Sequence, residues 1–226
     1  MAKFERVPSG VPGLDKLIEG GFIKGSAYLI SGGTGTGKTI FCTQFIYEGL
    51  KMGEKCMYLT LEEKPEDIIT DVKNFGIDLK KYVDKKQLFL EYRDPFEITD
   101  IVSPLIEQIK TLKIKRIVVD STSLFGLYFK EPFEVRKQLY KLITALKAAE
   151  TTTLLTAEIL EDVKGLSRFG VEEFIADGII LLHYMGIGKG TYYSLQIRKM
   201  RRTNHGKDIY PMMITDKGIK VGKALI

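Results

Sequence analysis

An eight-residue run, Gly32-Gly33-Thr34-Gly35-Thr36-Gly37-Lys38-Thr39, stands between a short apolar segment at 27–31 and an apolar-periodic stretch at 39–52. Its glycine spacing and terminal Lys-Thr match the loop that passes from a buried strand into a helix around a phosphate, and both flanks have the required character. The glycines let successive backbone N–H groups curl about a polyphosphate. The helix N-terminus adds partial positive charge, and the Lys38 ammonium adds a full one. The Thr39 hydroxyl suits Mg2+. One segment therefore constrains both the fold, through its strand-loop-helix order, and the class of ligand.

The remaining chain continues that alternation. Apolar runs at 56–61, 88–92, 116–120 and 152–157 read as buried strands alongside 27–31. Helical patterns occupy 39–52, 65–75, 98–112 and 132–149, the last with Val135, Leu139, Leu142, Ile143 and Leu146 on one stripe. Pro65 and Pro132 suit a first helical turn, whereas Pro104 predicts a kink or a late start. Strands joined by crossover-length helices imply a mostly parallel sheet with helices on both faces. The segments 178–184, 191–200, 209–215 and 218–221 follow one another closely, with Gly186, Gly188 and Gly190 in the first connection, and predict antiparallel hairpins. The expected architecture is an α/β core with a C-terminal antiparallel β extension. With no repeat and no linker in the pattern, a single domain over 1–226 is expected.

Apolar runs such as 114–119 and 178–182 are too short to cross a bilayer, and the first residues lack a charged-then-apolar leader pattern, so a cytoplasmic protein without membrane contact is expected. With only the two cysteines Cys42 and Cys56 and the two histidines His183 and His205, a structural zinc cage of the usual Cys/His kind is not expected. The two cysteines read as small core residues and His183 as structural. The net charge of +5 is unevenly spread. From Lys189 onward there are nine basic and two acidic residues, leaving a slight negative excess on the rest. Such a tail could meet nucleic acid or the phosphates of a nucleotide held by a neighbouring subunit, and charge alone does not choose.

The apolar run Arg116-Ile117-Val118-Val119 ends in Asp120, the pattern of a buried strand whose terminal carboxylate emerges beside a metal. Glu62 and Glu63 leave the end of the second strand, expected beside the phosphate-loop strand, and are candidates to orient or deprotonate an attacking water. Alternation along a strand turns one of the two toward the γ-phosphate without saying which. Glu158, past the fifth strand, is either a phosphate sensor or an ordinary strand-end acid. The polar stretch 159–170, with Glu161, Asp162, Lys164, Ser167 and Arg168, predicts a mobile surface loop whose balanced charges give little support to a nucleic-acid channel. The aromatics Phe125, Tyr128 and Phe129 within 123–130 suit a subunit interface better than a base-stacking platform.

Taken together, Ser9-Gly10-Val11-Pro12-Gly13-Leu14-Asp15, Gly20-Gly21, the phosphate loop, Leu61-Glu62-Glu63, the stretch Phe169 to Phe174 with Asp177, and Lys199-Met200-Arg201 through His205 resemble, nearly end to end, the RecA-type ATPases and within them the KaiC-like family. The resemblance implies a RecA-like P-loop NTPase fold and a hexameric ring with ATP or ADP and Mg2+ bound between subunits. It implies that Gly33, Thr34, Gly35, Thr36, Gly37, Lys38, Thr39 and Ile40 hold nucleotide in cis, that Thr39 and Asp120 serve the metal, and that Glu62 and Glu63 are paired catalytic acids. It also implies that Lys199 and Arg201 reach a neighbour's γ-phosphate, with Met200, Thr203 and His205 among the contacts made in trans. The clock protein that names the family has two such domains and phosphorylates a Ser-Thr pair in the second. Here that place reads Glu172-Glu173, which argues against autophosphorylation there. The function expected is a slowly hydrolysing ATPase ring with a signalling or regulatory role. A DNA-binding ATPase of recombination or repair, and a nucleotide-gated scaffold recruiting a signalling protein, are the alternatives.

Overall fold

The computed structural model describes residues 4–94, 102–129, 131–159, 165–187 and 190–224. In chain order the elements are β1 (Arg6–Val7), α1 (Leu14–Leu17), β2 (Phe22–Ile23), β3 (Ala27–Gly32), α2 (Lys38–Lys51), β4 (Cys56–Thr60), α3 (Pro65–Lys73), α4 (Lys80–Asp84) and β5 (Leu88–Tyr92). They continue with α5 (Val102–Leu112), β6 (Arg116–Asp120), a 3-10 turn (Thr122–Leu124), α6 (Phe125–Tyr128), α7 (Pro132–Ala148), β7 (Thr152–Glu158) and α8 (Glu172–Ile175). The chain closes with β8 (Gly178–Ile187), β9 (Gly190–Met200), β10 (Ile209–Thr215) and β11 (Gly218–Val221). Pro65 and Pro132 open their helices as expected. Pro104 stands in the first turn of the described part of α5; the expected helix start at 98–101 lies outside the described residues.

Nine strands form one sheet in the order β11-β10-β9-β8-β3-β7-β6-β4-β5. β8, β3, β7, β6, β4 and β5 run parallel, and β9, β10 and β11 extend the sheet antiparallel. One expectation is corrected: β4, which leads into Glu62 and Glu63, is not beside β3, because β7 and β6 lie between them. Sequence spacing shows that a crossover exists and not how many strands it steps over.

Strand alternation divides the core into two layers. Tyr28, Ile30, Tyr58, Val118 and Leu154 face α2, where Phe41 and Phe45 cover them. Leu29, Met57, Leu59, Ile117 and Leu155 face the opposite way onto α5 and α7, including the predicted stripe Val135, Leu139, Leu142, Ile143 and Leu146. Cys42 and Cys56 are fully buried, and burial pushes both thiols up, consistent with core packing. Phe125 is also core, with Phe129 packed beside it and Tyr128 edge-on to Phe129; Tyr128 and Phe129 remain half-buried and Leu127 between them and Phe125 is exposed. Of the polar stretch after β7, 160–164 (with Glu161, Asp162 and Lys164) lie outside the described residues, as do Lys130, Gly188 and Lys189. The described part is pinned rather than loose. Ser31 donates to the Leu166 carbonyl at 2.5 Å, and the buried Ser167 hydroxyl donates to Glu172 at 2.9 Å and Glu173 at 3.2 Å.

Among the described residues no helix is long and apolar enough to cross a membrane. At the start of β6, Arg116 is only 1% exposed; it pairs with Glu54 at 2.5 Å, donates to the carbonyls of Pro8 and Phe45, and stacks on the Phe45 ring. Arg116→Leu removes the partner of a charge and two buried carbonyls at once. A loss of about 3 kcal/mol is expected in urea unfolding.

Candidate functional site

The site is built at the ends of β3, β6 and β4. β3 is buried along its whole length and delivers Gly32 into the loop, and α2 begins at Lys38. Gly35 and Gly37 have φ of 73° and 90°, in the left-handed region where a side chain would be strained, so the curl of the loop depends on glycine at these positions. Thr36 is buried and closes the loop by donating to the Gly33 carbonyl at 2.8 Å. Lys38 Nζ folds back over the loop, donating to the carbonyls of Gly32 at 3.0 Å and Gly33 at 2.9 Å. The ammonium is thereby held over the loop's backbone N–H groups, where an anion would sit. Ile40, one turn into α2, is half-buried against the core.

Thr39 and Asp120 meet from separate elements, the Thr39 hydroxyl donating to Asp120 Oδ2 at 3.4 Å. Hydroxyl and carboxylate are hard oxygen donors of the kind that suit Mg2+. Two further hydroxyls fix Asp120: Tyr58 donates to Oδ2 and Thr156 to Oδ1, each at 2.5 Å. Sequence reading missed both. They sit at even-numbered positions of β4 and β7, the strands flanking β6, and so share the α2-facing side with Asp120. That signal can be read only once the strand order is known. Tyr58 is fully buried, and burial together with the neighbouring Asp120 carboxylate pushes its hydroxyl pKa well above the ordinary value, keeping it a donor.

Thr60 shapes the turn that carries the glutamate pair: its hydroxyl donates to the Glu63 carbonyl at 2.9 Å and accepts the N–H groups of Glu62 and Glu63. The two side chains have different surroundings. Glu62 accepts a short hydrogen bond from Ser121, next to Asp120, and lines a cleft of about 480 Å3 with Leu61, Tyr92, Leu124, Leu127 and Glu158. Partial burial raises the Glu62 pKa. Ser121 partly offsets this, Asp120 and Glu158 add to it, and Lys38 opposes it. Glu63 is raised by desolvation and by Asp120, with further contributions from Asp71 of α3, from Glu62 and from Asp67, also of α3. The backbone N–H of Glu158 is anchored by Ser123.

Lys199 and Arg201 are not near these groups. β8 begins where β3 begins, with Tyr28 opposite Gly178, and Gly178 is opposite Met200 at the end of β9. The phosphate loop leaves the other end of β3: Arg201, bonded to Asp177 beside Ala27, is five residue steps or about 16 Å from Gly32, and Lys199, opposite Ile179 and so level with Leu29, is three steps or about 10 Å, in both cases farther than the side chain reaches. At this distant edge Lys199 Nζ donates to the carbonyls of Glu173 and Ala176 at 2.7 and 2.8 Å, and burial lowers its pKa. Arg201 donates to the Phe174 carbonyl at 3.0 Å. The Met200 side chain is in the core, Thr203 accepts from Arg6 at 3.2 Å, and His205 lies within hydrogen-bonding distance of the Gly206 carbonyl at 2.7 Å. His183 is half-buried in β8, and burial lowers its pKa.

A glycine-rich loop entering a helix, an acid on the strand two places away and a glutamate on the strand beyond it define a P-loop ATPase domain of the RecA type. A family model described as "ATPase: KaiC" matches residues 7–225. The chain is 35% identical over 223 residues to the circadian clock oscillator protein KaiC of Synechococcus elongatus, covering 93% of this chain and 43% of that protein. It is 34% identical over 224 residues to the same-named protein of Parathermosynechococcus lividus, covering 94% and 41%. The chain thus spans less than half the length of these relatives. The crystal structure of a KaiC-like protein from the hyperthermophilic archaeon Pyrococcus horikoshii superimposes with a TM-score of 0.89 at 38% identity, covering 98% of this chain and all of that one. The chain belongs to the KaiC family of ATPases.

Proposed function

We propose that this chain is a Mg2+-dependent ATPase that works as a head-to-tail ring, hexameric by its family resemblance, with each nucleotide held by one subunit and completed by cations of the next. The observation that carries the reading is the separation of Lys199 and Arg201 from their own phosphate loop along β3, by about half its length for Lys199 and its full length for Arg201. Two unlike surfaces at opposite ends of the strands also favour a heterologous contact that repeats around a ring. One is the cleft containing Glu62, Glu158 and the exposed Leu127; the other carries Arg201 and Lys147 beside the exposed Phe174 and Tyr140.

In this reading the loop N–H groups and Lys38 bind the β- and γ-phosphates, and Thr39 and Asp120 hold Mg2+, which when bound neutralises charge on those phosphates. Tyr58 and Thr156 keep the Asp120 carboxylate from turning away. Glu62 accepts a proton from, or orients, the attacking water from the cleft side. Arg201 of the adjacent subunit meets the charge that develops on the γ-phosphoryl oxygens, so turnover depends on assembly. The physiological role is signalling or regulation through ATP-dependent assembly.

The test is Arg201→Ala. ATP affinity is expected to stay within about 3-fold while turnover falls by roughly 10³-fold. Mixing these subunits with Glu62→Gln subunits should recover activity, because some interfaces then combine an intact glutamate with an intact arginine. Wild-type turnover in Arg201→Ala, or no recovery in demonstrably mixed rings, rejects shared sites.

A further inference from the structure

Asp177 is a buried acid, 4% exposed, surrounded by three half-exposed cations. Lys147 of α7 reaches its carboxylate at 2.9 Å, Arg202 at 3.5 Å and Arg201 at 3.8 Å. The same residue is tied to the first residue of β3 in two ways. Its N–H donates to the Ala27 carbonyl at 2.7 Å, and its carboxylate accepts the Ala27 N–H at 3.1 Å. Its own carbonyl accepts the Arg201 N–H at 2.7 Å. The Arg201 backbone is therefore linked through Asp177 to the strand that carries the phosphate loop at its far end, and its guanidinium stands 3.8 Å from the Asp177 carboxylate.

The charge balance is informative. One carboxylate serves three cations, and Lys199 stands nearby with its ammonium on the α8 carbonyls. Three cations reach the one buried carboxylate, and the two arginines remain about half exposed to solvent. Arg202 is further restrained by the Phe4 ring and Ser26, leaving Arg201, 49% exposed, as the cation best able to meet an incoming anion.

We propose that Asp177 is a positioning residue for catalysis in the neighbouring subunit: it aims Arg201, while leaving the cluster positive enough to receive the neighbour's phosphates. The proposal rests on the shared-site reading above. Its signature is direction, since the defect of an Asp177 variant appears in the adjacent site and not in its own.

The experiment measures ATP turnover and ATP affinity of Asp177→Asn, alone and mixed with Glu62→Gln subunits. Alone, kcat is expected to fall roughly 10- to 100-fold with KM and nucleotide affinity changed less than about 3-fold. In mixed rings activity recovers, because the variant's own phosphate loop and Glu62 are intact and take Arg201 from the partner. A merely structural Asp177 would impair its own site as well and give no recovery. Asp177→Glu, which keeps the charge but displaces the guanidinium by a methylene, carries the same test should the asparagine variant not fold. Wild-type kcat in the folded variant, or no recovery on mixing, overturns the proposal if Arg201→Ala behaves as expected. If Arg201→Ala itself turns over normally, it is the shared-site reading that has failed.

Discussion

Lys38→Ala is expected to abolish nucleotide binding at concentrations that saturate the wild type. The Lys38 ammonium is held over the loop by the Gly32 and Gly33 carbonyls, so its charge is already placed when phosphates arrive. Charge-assisted contacts of this kind contribute about 1.5–3 kcal/mol each, and losing two corresponds to roughly 10²- to 10⁴-fold in Kd. Because Lys38 is only half-buried and its ammonium contacts are the two carbonyls of the loop's start, thermal stability without nucleotide should change little. Calorimetric titration with ATP and with ADP checks this; comparable affinity in the variant would mean that the loop alone supplies the binding.

Glu62→Gln is expected to leave ATP affinity near wild type and to lower turnover by roughly 10²- to 10⁴-fold, the usual range for losing a positioned base. Its pH dependence gives a second readout. The Glu62 pKa lies above the ordinary carboxylate value because the side chain is partly buried and Asp120 and Glu158 are close. Only the ionised form can accept a proton, so activity falls on acidification, with a midpoint above that of an exposed glutamate. The residual activity of the glutamine variant should lack that acid limb. Glu63→Gln should act more weakly, since Glu63 also faces the acids of α3. The opposite order of the two variants would exchange their roles.

Much of the site was legible because its signals are local. The glycine-rich loop, its strand and its helix are contiguous, and Arg116 to Asp120 shows a buried strand ending in an acid. The boundaries of β3, β6 and α7 follow hydrophobic periodicity, which side-chain burial imposes on any chain with these elements. The hairpins at the C-terminal end were visible for the same reason, from short apolar runs broken by glycine.

What periodicity cannot carry is which strands become neighbours, since that depends on how the crossover helices pack over the whole sheet. Glu62 was expected beside the phosphate-loop strand, and two strands intervene. Tyr58 and Thr156 looked like ordinary strand residues until β4, β6 and β7 aligned their hydroxyls on Asp120. The buried Asp177 was visible in sequence only as part of a resemblance, and its three cations come from α7 and from the end of β9. The sequence by itself determined the glycine-rich loop between strand and helix, the buried strand that ends in Asp120 and the alternation of strands and helices, because each is encoded within a few adjacent residues. Only the tertiary structure decided that the basic pair lies out of reach of its own phosphate loop, Arg201 by the full length of β3, because that separation follows from long-range strand pairing.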